Sequence, residues 1–240
     1  SSPLFNILPV SGEWPKNQHP ISAWDKELET VTPYFYSTWL EDYNITVEYV
    51  PSERAGFYRF SYGNEADKKL FLRKINGINW RMNEDGSITG TEHFNGMKAF
   101  AYGIFNSMGE FSKVGDNAWI EWINDEKQIC FKYGISYISI EQAKKNLENE
   151  IADWNFETVK STARGKWLPF MNQIEVEGGT EAYRRTFYTA LYRCYERMVN
   201  ITEDNRYYSN YDQKIHSDEQ DFYVDDWVWD TYLALHPLRY

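Results

Sequence analysis

The spacing of apolar residues changes period at Ser139, which limits the chain to folds that segregate strands from helices. Before that point, short runs rich in aromatic and β-branched residues are bounded by Gly, Asn, Asp or Pro. They predict strands over residues 34–40, 45–50, 56–62, 69–75, 98–106, 119–123 and 128–138. Their regular spacing predicts a β-sandwich. From Lys98 to Phe105 the apolar pattern is partly continuous rather than alternating, as suits a strand covered on both faces.

After Ser139 the pattern is helical. Ser139-Ile140-Glu141-Gln142 has the form of a capping box, and Ile140, Ala143, Leu147 and Ile151 recur at helical spacing. A second helix is predicted from Phe156 to about Ile174, with Gly165 and Pro169 weakening its second half. Beyond Gly178-Gly179-Thr180, a third helix carries Tyr183, Phe187, Ala190, Leu191, Cys194 and Met198 along one stripe. Residues 201–221 have no periodicity and read as a loop. A last helix is predicted to begin near Phe222 and to end before Pro237. The order of strands then helices predicts separate β and α domains, with almost no strand after Ser139.

The net charge of −11 gives a surface that repels phosphate backbones, so nucleic acid is not an expected partner. Cys130 and Cys194 are spaced neither as a disulfide framework nor as metal ligands, and both are expected to be buried thiols. No apolar run is long enough to form a transmembrane segment. Nucleophile elbows, P-loops and dinucleotide fingerprints are absent, and Gly86, Gly90 and Gly96 read as hairpin turns. The oxygen-bearing stretches at Asp204-Asn205 and Asn210 to Asp212 lack calcium-loop spacing, and His216 and His236 have no second His or Cys at zinc spacing.

One stretch concentrates the chemistry. Asp225, Asp226 and Asp230 alternate with Trp227, Trp229 and Tyr232 within eight residues. Carboxylates accept hydrogen bonds from sugar hydroxyls, and aromatic faces pack on apolar pyranose faces. On a helix, Asp226 and Asp230 share a face and repel each other with nothing basic nearby in sequence. Such a cluster calls for a metal, a sugar or a distant Arg. A solvated helix start explains Asp225 and Asp226 but not Asp230, which lies among large side chains. Trp227 and Trp229 point to different sides of a helix, so one can serve the core and the other a stacking platform.

With these residues in view, the chain resembles glycoside hydrolase family 92, the calcium-dependent exo-α-mannosidases. Tyr36 to Tyr43 with Glu53 to Arg59 looks like paired strands of the family's N-terminal domain. Gly134 to Ala143 with Trp154-Asn155-Phe156 looks like its linker. Glu175 to Thr180 with Phe187 to Tyr192 looks like its first barrel helix. Trp229-Asp230-Thr231-Tyr232 with Leu235-His236-Pro237-Leu238 looks like its W-D-T-aromatic…H-P-L signature. The chain departs from the pattern at Leu233, often Arg in the family, and at Asp25-Lys26, often Ser-His. It also departs at Asp225-Asp226-Trp227, where small and aromatic residues are commoner.

The resemblance implies a partial N-terminal β-sandwich over residues 1–138, a helical linker over 139–176 and the start of an (α/α)6 barrel over 177–240. It implies an internal fragment of an inverting exo-α-mannosidase that acts on an α-1,2 or related linkage at the non-reducing ends of glycans, inactive by itself. Two alternatives of the same fold are a mannosyl-phosphate-cleaving enzyme and a non-catalytic glycan-binding homologue. Trp229 and Asp230 match positions that hold the terminal mannose. The acid, the base and the calcium ligands are expected beyond residue 240. The expected compartment is the periplasm, the cell surface or the medium of a bacterium.

Overall fold

Alternation along the strands sorts side chains onto two cores, one on each face of a large sheet. The structure is a computed structural model that describes residues 6–13, 19–63, 67–73, 77–94, 96–226, 228–231 and 235–239. Contacts divide the chain into two compact units, Ser1–Ala163 and Arg164–Tyr240.

The first unit holds β1 (Ile7–Ser11), β2 (Thr30–Thr32), β3 (Phe35–Leu40), β4 (Ile45–Pro51), β5 (Ala55–Tyr62) and β6 (Lys68–Leu72). These are followed by β7 (Asn79–Met82), β8 (Ile88–Phe94), β9 (Met97–Phe105), β10 (Glu110–Val114), β11 (Asn117–Trp122) and β12 (Gln128–Ser136). A four-stranded sheet has the order β1-β6-β11-β10, and an eight-stranded sheet the order β2-β3-β4-β5-β12-β9-β8-β7. In the centre of the larger sheet, Phe60 lies opposite Ile129 and Tyr58 opposite Phe131. Phe60, Tyr62, Ile129 and Phe131 face the inter-sheet core with Leu70, Leu72, Ile120 and Trp122 of the smaller sheet. Phe57, one residue out of step, faces the other way and packs with Ala143, Leu147 and Phe156. That second core covers the outer face of the large sheet with helices α1 (Ile140–Glu150) and α2 (Phe156–Met171). The β9 run is covered on both faces as its continuous apolar pattern requires: Ala101 enters one core and Tyr102 the other.

Polar groups fix α1 and α2 to the sheet. Ser139 caps α1 by accepting the Gln142 N–H at 3.1 Å. At the other end the Lys132 ammonium, 2% exposed, donates to the carbonyls of Ile151, Ala152 and Asp153 at 3.1, 3.3 and 3.1 Å. It also stands 4.3 Å from the centre of the Trp154 ring. A cation at a helix C-terminus meets both the orphan carbonyls and the negative end of the dipole. Arg59 grips Glu48 with two nitrogens at 2.6 and 2.8 Å, reaches Glu157 at 3.0 Å and lies over the Phe156 ring.

Several expectations need correction here. Strands β1, β2, β7, β8 and β10 went unread because they are short or lie toward sheet edges, where polar residues dilute the apolar signal. Gly90 is not a turn residue: it sits inside β8, and a Cβ there would lie 2.8 Å from the Trp80 ring. Gly86 and Gly96 do take the positive φ of turns, at 79° and 84°. Neither cysteine is fully buried; both are half-buried free thiols. Asp25 serves as the cap of a single 3-10 turn, accepting the Glu27 N–H at 2.8 Å.

In the second unit, Thr180 caps α3 (Glu181–Arg193) through the Tyr183 N–H. The stripe expected to run to Met198 stops at Arg193, and of its members Leu191 is buried while Tyr183 is 72% exposed. Trp167 packs on Tyr192, and Phe170 on Tyr195. Residues 201–221 are not a featureless loop. They hold the hairpin β14 (Arg206–Ser209) and β15 (Lys214–Ser217), preceded by β13 (Val199–Asn200), which pairs with β16 (Tyr223–Val224). Strand therefore does occur after Ser139, stabilised by stacking of Tyr207 on His216 and on Phe222.

Candidate functional site

Helix is described at α4 (Val228–Thr231) and α5 (Leu235–Arg239), so it neither begins near Phe222 nor ends before Pro237; residues 232–234 lie outside the described residues. The backbone prevents a helix from starting at Phe222, because Tyr223 and Val224 are in a strand and Asp225 has φ 66°. Pro237 lies within α5 rather than beyond the end of the helix. Asp226 precedes α4, so it and Asp230 do not share a helix face.

Asp225 has a partner that the local sequence does not contain, whereas the partners of Asp226 lie just after it in the chain. Asp225 takes a hydrogen bond from Arg197 at 3.0 Å, a residue 28 positions earlier. This is the distant Arg that the clustered acids called for. Thr231 is 6% exposed, and its hydroxyl donates to Asp226 Oδ1 at 2.9 Å. His236 Nε2 lies 3.3 Å from that hydroxyl and 3.5 Å from Asp226 Oδ2. A hydroxyl has one hydrogen, and Thr231 gives it to the carboxylate. The Nε2 of His236 therefore carries the hydrogen of the second contact. Asp226, Thr231 and His236 thus tie the strand end, α4 and α5 into one polar knot.

Trp229 lies between two of these anchors in sequence and is 89% exposed. An indole left open beside a fixed backbone is suited to stacking on an apolar face. Trp227, Tyr232 and the side chain of Asp230 lie outside the described residues. Among the described residues no group of three His, Cys, Asp or Glu side chains converges as a metal site. The nearest acids do not fit calcium, because Asp225 is engaged by Arg197 and Asp226 by Thr231.

The anchors Arg197, Asp226 and Thr231 were not singled out as a unit in the sequence. Spacings of five between Asp226, Thr231 and His236 match neither a helix face nor a strand face. The one available signal was the unpaired acid cluster itself.

Comparison with known proteins places this geometry in context. The sequence profile described as the glycosyl hydrolase family 92 N-terminal domain matches residues 2–114. That described as the glycosyl hydrolase family 92 catalytic domain matches residues 142–240. An uncharacterized secreted glycosidase of Arthroderma benhamiae is 31% identical over 86 residues, covering 34% of this chain and 11% of that protein. The solved structure of a family GH92 inverting mannosidase from Bacteroides thetaiotaomicron superposes with a TM-score of 0.86 at 23% identity, over 98% of this chain and 36% of its own. A family GH92 α-mannosidase from the same organism gives 0.86 at 20% identity, over 98% of this chain and 37% of its own. The chain therefore spans little more than a third of the length of these structures. What it shares with them is the fold, a β-sandwich followed by the start of a helical domain.

Proposed function

We infer the function from one premise: the chain belongs to glycosyl hydrolase family 92, whose N-terminal and catalytic domains match it in order over residues 2–114 and 142–240. The proposal is that the whole protein is a glycoside hydrolase, an inverting exo-α-mannosidase that removes mannose from the non-reducing ends of glycans. The linkage proposed is α-1,2 or a related one. Relatives that are mannosidases, one of them inverting, support this reading. A relative that is a secreted glycosidase supports action outside the cytoplasm, in the periplasm or at the cell surface.

In the inverting reaction a carboxylic acid protonates the leaving oxygen while a carboxylate on the opposite face of the sugar activates water. Both groups belong, in this proposal, to the longer protein. The part assigned to this chain is holding the terminal sugar. Trp229 packs against the apolar face of the ring, and Asp230 accepts hydrogen bonds from its hydroxyls. Thr231, Asp226 and His236 fix the backbone that carries both. Calcium, which the family resemblance implies, finds no ligand set among the described residues, so its ligands are assigned to the longer protein and no step is drawn through it.

The observation that carries the sugar-holding role is the contrast between neighbours: Thr231 is 6% exposed and anchored, while Trp229 is 89% exposed. The test is to incubate the full-length protein with α-1,2-mannobiose and with a mannosyl-phosphate-linked mannoside, and to quantify free mannose. Release from mannobiose supports the reading. Release from the phosphate-linked substrate alone transfers the activity to phosphodiester-linked mannose. Binding without release from either makes the protein a lectin.

A further inference from the structure

The sandwich unit carries a concave site. A cavity of about 610 Å³ opens on the outer face of the large sheet, between β7, β8 and β9 and the first turn of α1. That volume is in the range of small-molecule sites. Its wall is built by alternation. Asn79 and Arg81 point outward from β7, and Thr89 and Thr91 point outward from β8 directly opposite them, in the register Asn79↔Thr91 and Arg81↔Thr89. Tyr102 of β9 and Lys144 of α1 complete the pocket.

Three features of this wall call for a ligand. The hydroxyls of Thr89, a buried residue, and of half-buried Thr91 open onto the cavity, and neither has a hydrogen-bond partner among the described residues. The Arg81 guanidinium, on the pocket wall, has no ion-pair partner among the described residues either. Lys144 lies 5.5 Å from the centre of the Tyr102 ring and only loosely meets Glu148, at 3.9 Å.

The charge of the pocket also runs against that of the chain. The net charge overall is −11, but the wall presents Arg81 and Lys144 against a single carboxylate, Glu141. That acid is already engaged: its own backbone N–H and the Ser139 hydroxyl hold its pKa below the usual carboxylate range. The groups facing the groove are therefore two cations, Arg81 and the Lys144 that Glu148 and Asp85 also attract, with hydroxyls two residues apart along a strand, roughly 7 Å. A neutral apolar ligand would leave them unsatisfied.

We propose that this groove is a saccharide site that takes a sugar bearing one anionic group. Arg81 and Lys144 bind the anionic substituent, and Thr89, Thr91 and Asn79 bind ring hydroxyls. Asn79 is held for this by Lys113, which donates to its Oδ1 at 3.0 Å and leaves its amide N–H₂ as donor.

The test is calorimetric titration of the 240-residue chain with mannose 6-phosphate, glucuronic acid, mannose and inorganic phosphate. It reads binding rather than turnover, so its outcome is independent of the hydrolase reading. One of the two anionic sugars is expected to bind at least ten-fold more tightly than both mannose and inorganic phosphate, and which one it is distinguishes phosphate from carboxylate. Arg81→Gln and Lys144→Gln are each expected to weaken that binding at least ten-fold with an unchanged Tm, because both side chains are exposed. Inorganic phosphate binding as tightly as the sugars would reduce the groove to an anion site and overturn the proposal. So would the absence of binding by either anionic sugar, or wild-type affinity in both variants.

Discussion

The Thr231 hydroxyl lies 2.9 Å from a carboxylate oxygen of Asp226, five residues earlier in the chain and outside the helix that carries Thr231. This bond closes the turn on which Trp229 and Asp230 sit. A hydrogen bond to a charged group contributes about 1.5–3 kcal/mol. In the full-length protein, Thr231→Val is expected to lower kcat/KM by roughly ten-fold or more, since about 1.4 kcal/mol corresponds to a factor of ten. Thr231→Ser, which keeps the hydroxyl, is expected to recover most of that loss. Equal kinetics for Val and Ser variants would show that the hydroxyl does not position the turn.

Asp230 is assigned the sugar hydroxyls directly. Asp230→Ala in the full-length enzyme is expected to cost at least about 2 kcal/mol of transition-state stabilisation, or roughly 30-fold in kcat/KM. Turnover near normal in a folded variant rules out the role.

Gly134 allows α1 to approach β12. A Cβ at that position would lie 2.1 Å from the Ala143 carbonyl oxygen, a backbone atom that cannot swing aside. Gly134→Ala is therefore expected to destabilise the sandwich unit by about 1–3 kcal/mol, the usual cost of overpacking. Urea unfolding of the chain followed by circular dichroism measures it.

Lys132 replaces a C-terminal glycine cap for α1. Burial lowers its pKa, yet three carbonyls and the Trp154 ring surround the ammonium. Lys132→Met keeps the stem and strands those carbonyls. A loss of about 1–3 kcal/mol is expected from the unsatisfied acceptors, by the same urea titration.

Alkaline pH should unfold the sandwich from within. Burial raises the pKa of Tyr49, Tyr58, Tyr62 and Tyr133, and pushes Tyr43 up to about 12, helped by Asp42. In the unfolded chain these hydroxyls ionise near 10. The fold holds its protons longer than the unfolded state, so the contribution is complete below about pH 10 and is lost as pH rises through the folded values. Tm is expected to stay flat from pH 8 to 9 and to fall above about pH 10, with a late fraction of phenolate absorbance at 295 nm.

The sandwich was legible where strands are buried on both faces. The runs around Phe57, Ala101 and Phe131 announce themselves because nearly every position is apolar, small or aromatic, Arg59 and Lys132 being the charged exceptions. Strand β7 was missed although Asn79-Trp80-Arg81-Met82 alternates, because four residues carry too little signal beside their polar turn. The last helix was misread for a different reason. Asp225 takes a left-handed conformation, and its neighbours pair with Val199 and Asn200 some 25 residues back. Tertiary pairing there overrides local pattern. The Trp229-Asp230 turn was visible as an acid and aromatic cluster that included Asp226, but the partners of its acids were not, because Arg197 lies 28 residues before Asp225 and Thr231 five residues after Asp226, a spacing that matches no helix face.

The central claim is that this turn belongs to an inverting mannosidase, and the stereochemistry of the first product tests it most directly. Proton NMR of the full-length protein acting on α-1,2-mannobiose should show β-mannose appearing first, with the α-anomer growing only by mutarotation. Initial α-mannose would contradict the mechanism, and no mannose at all would contradict the assignment of the enzyme.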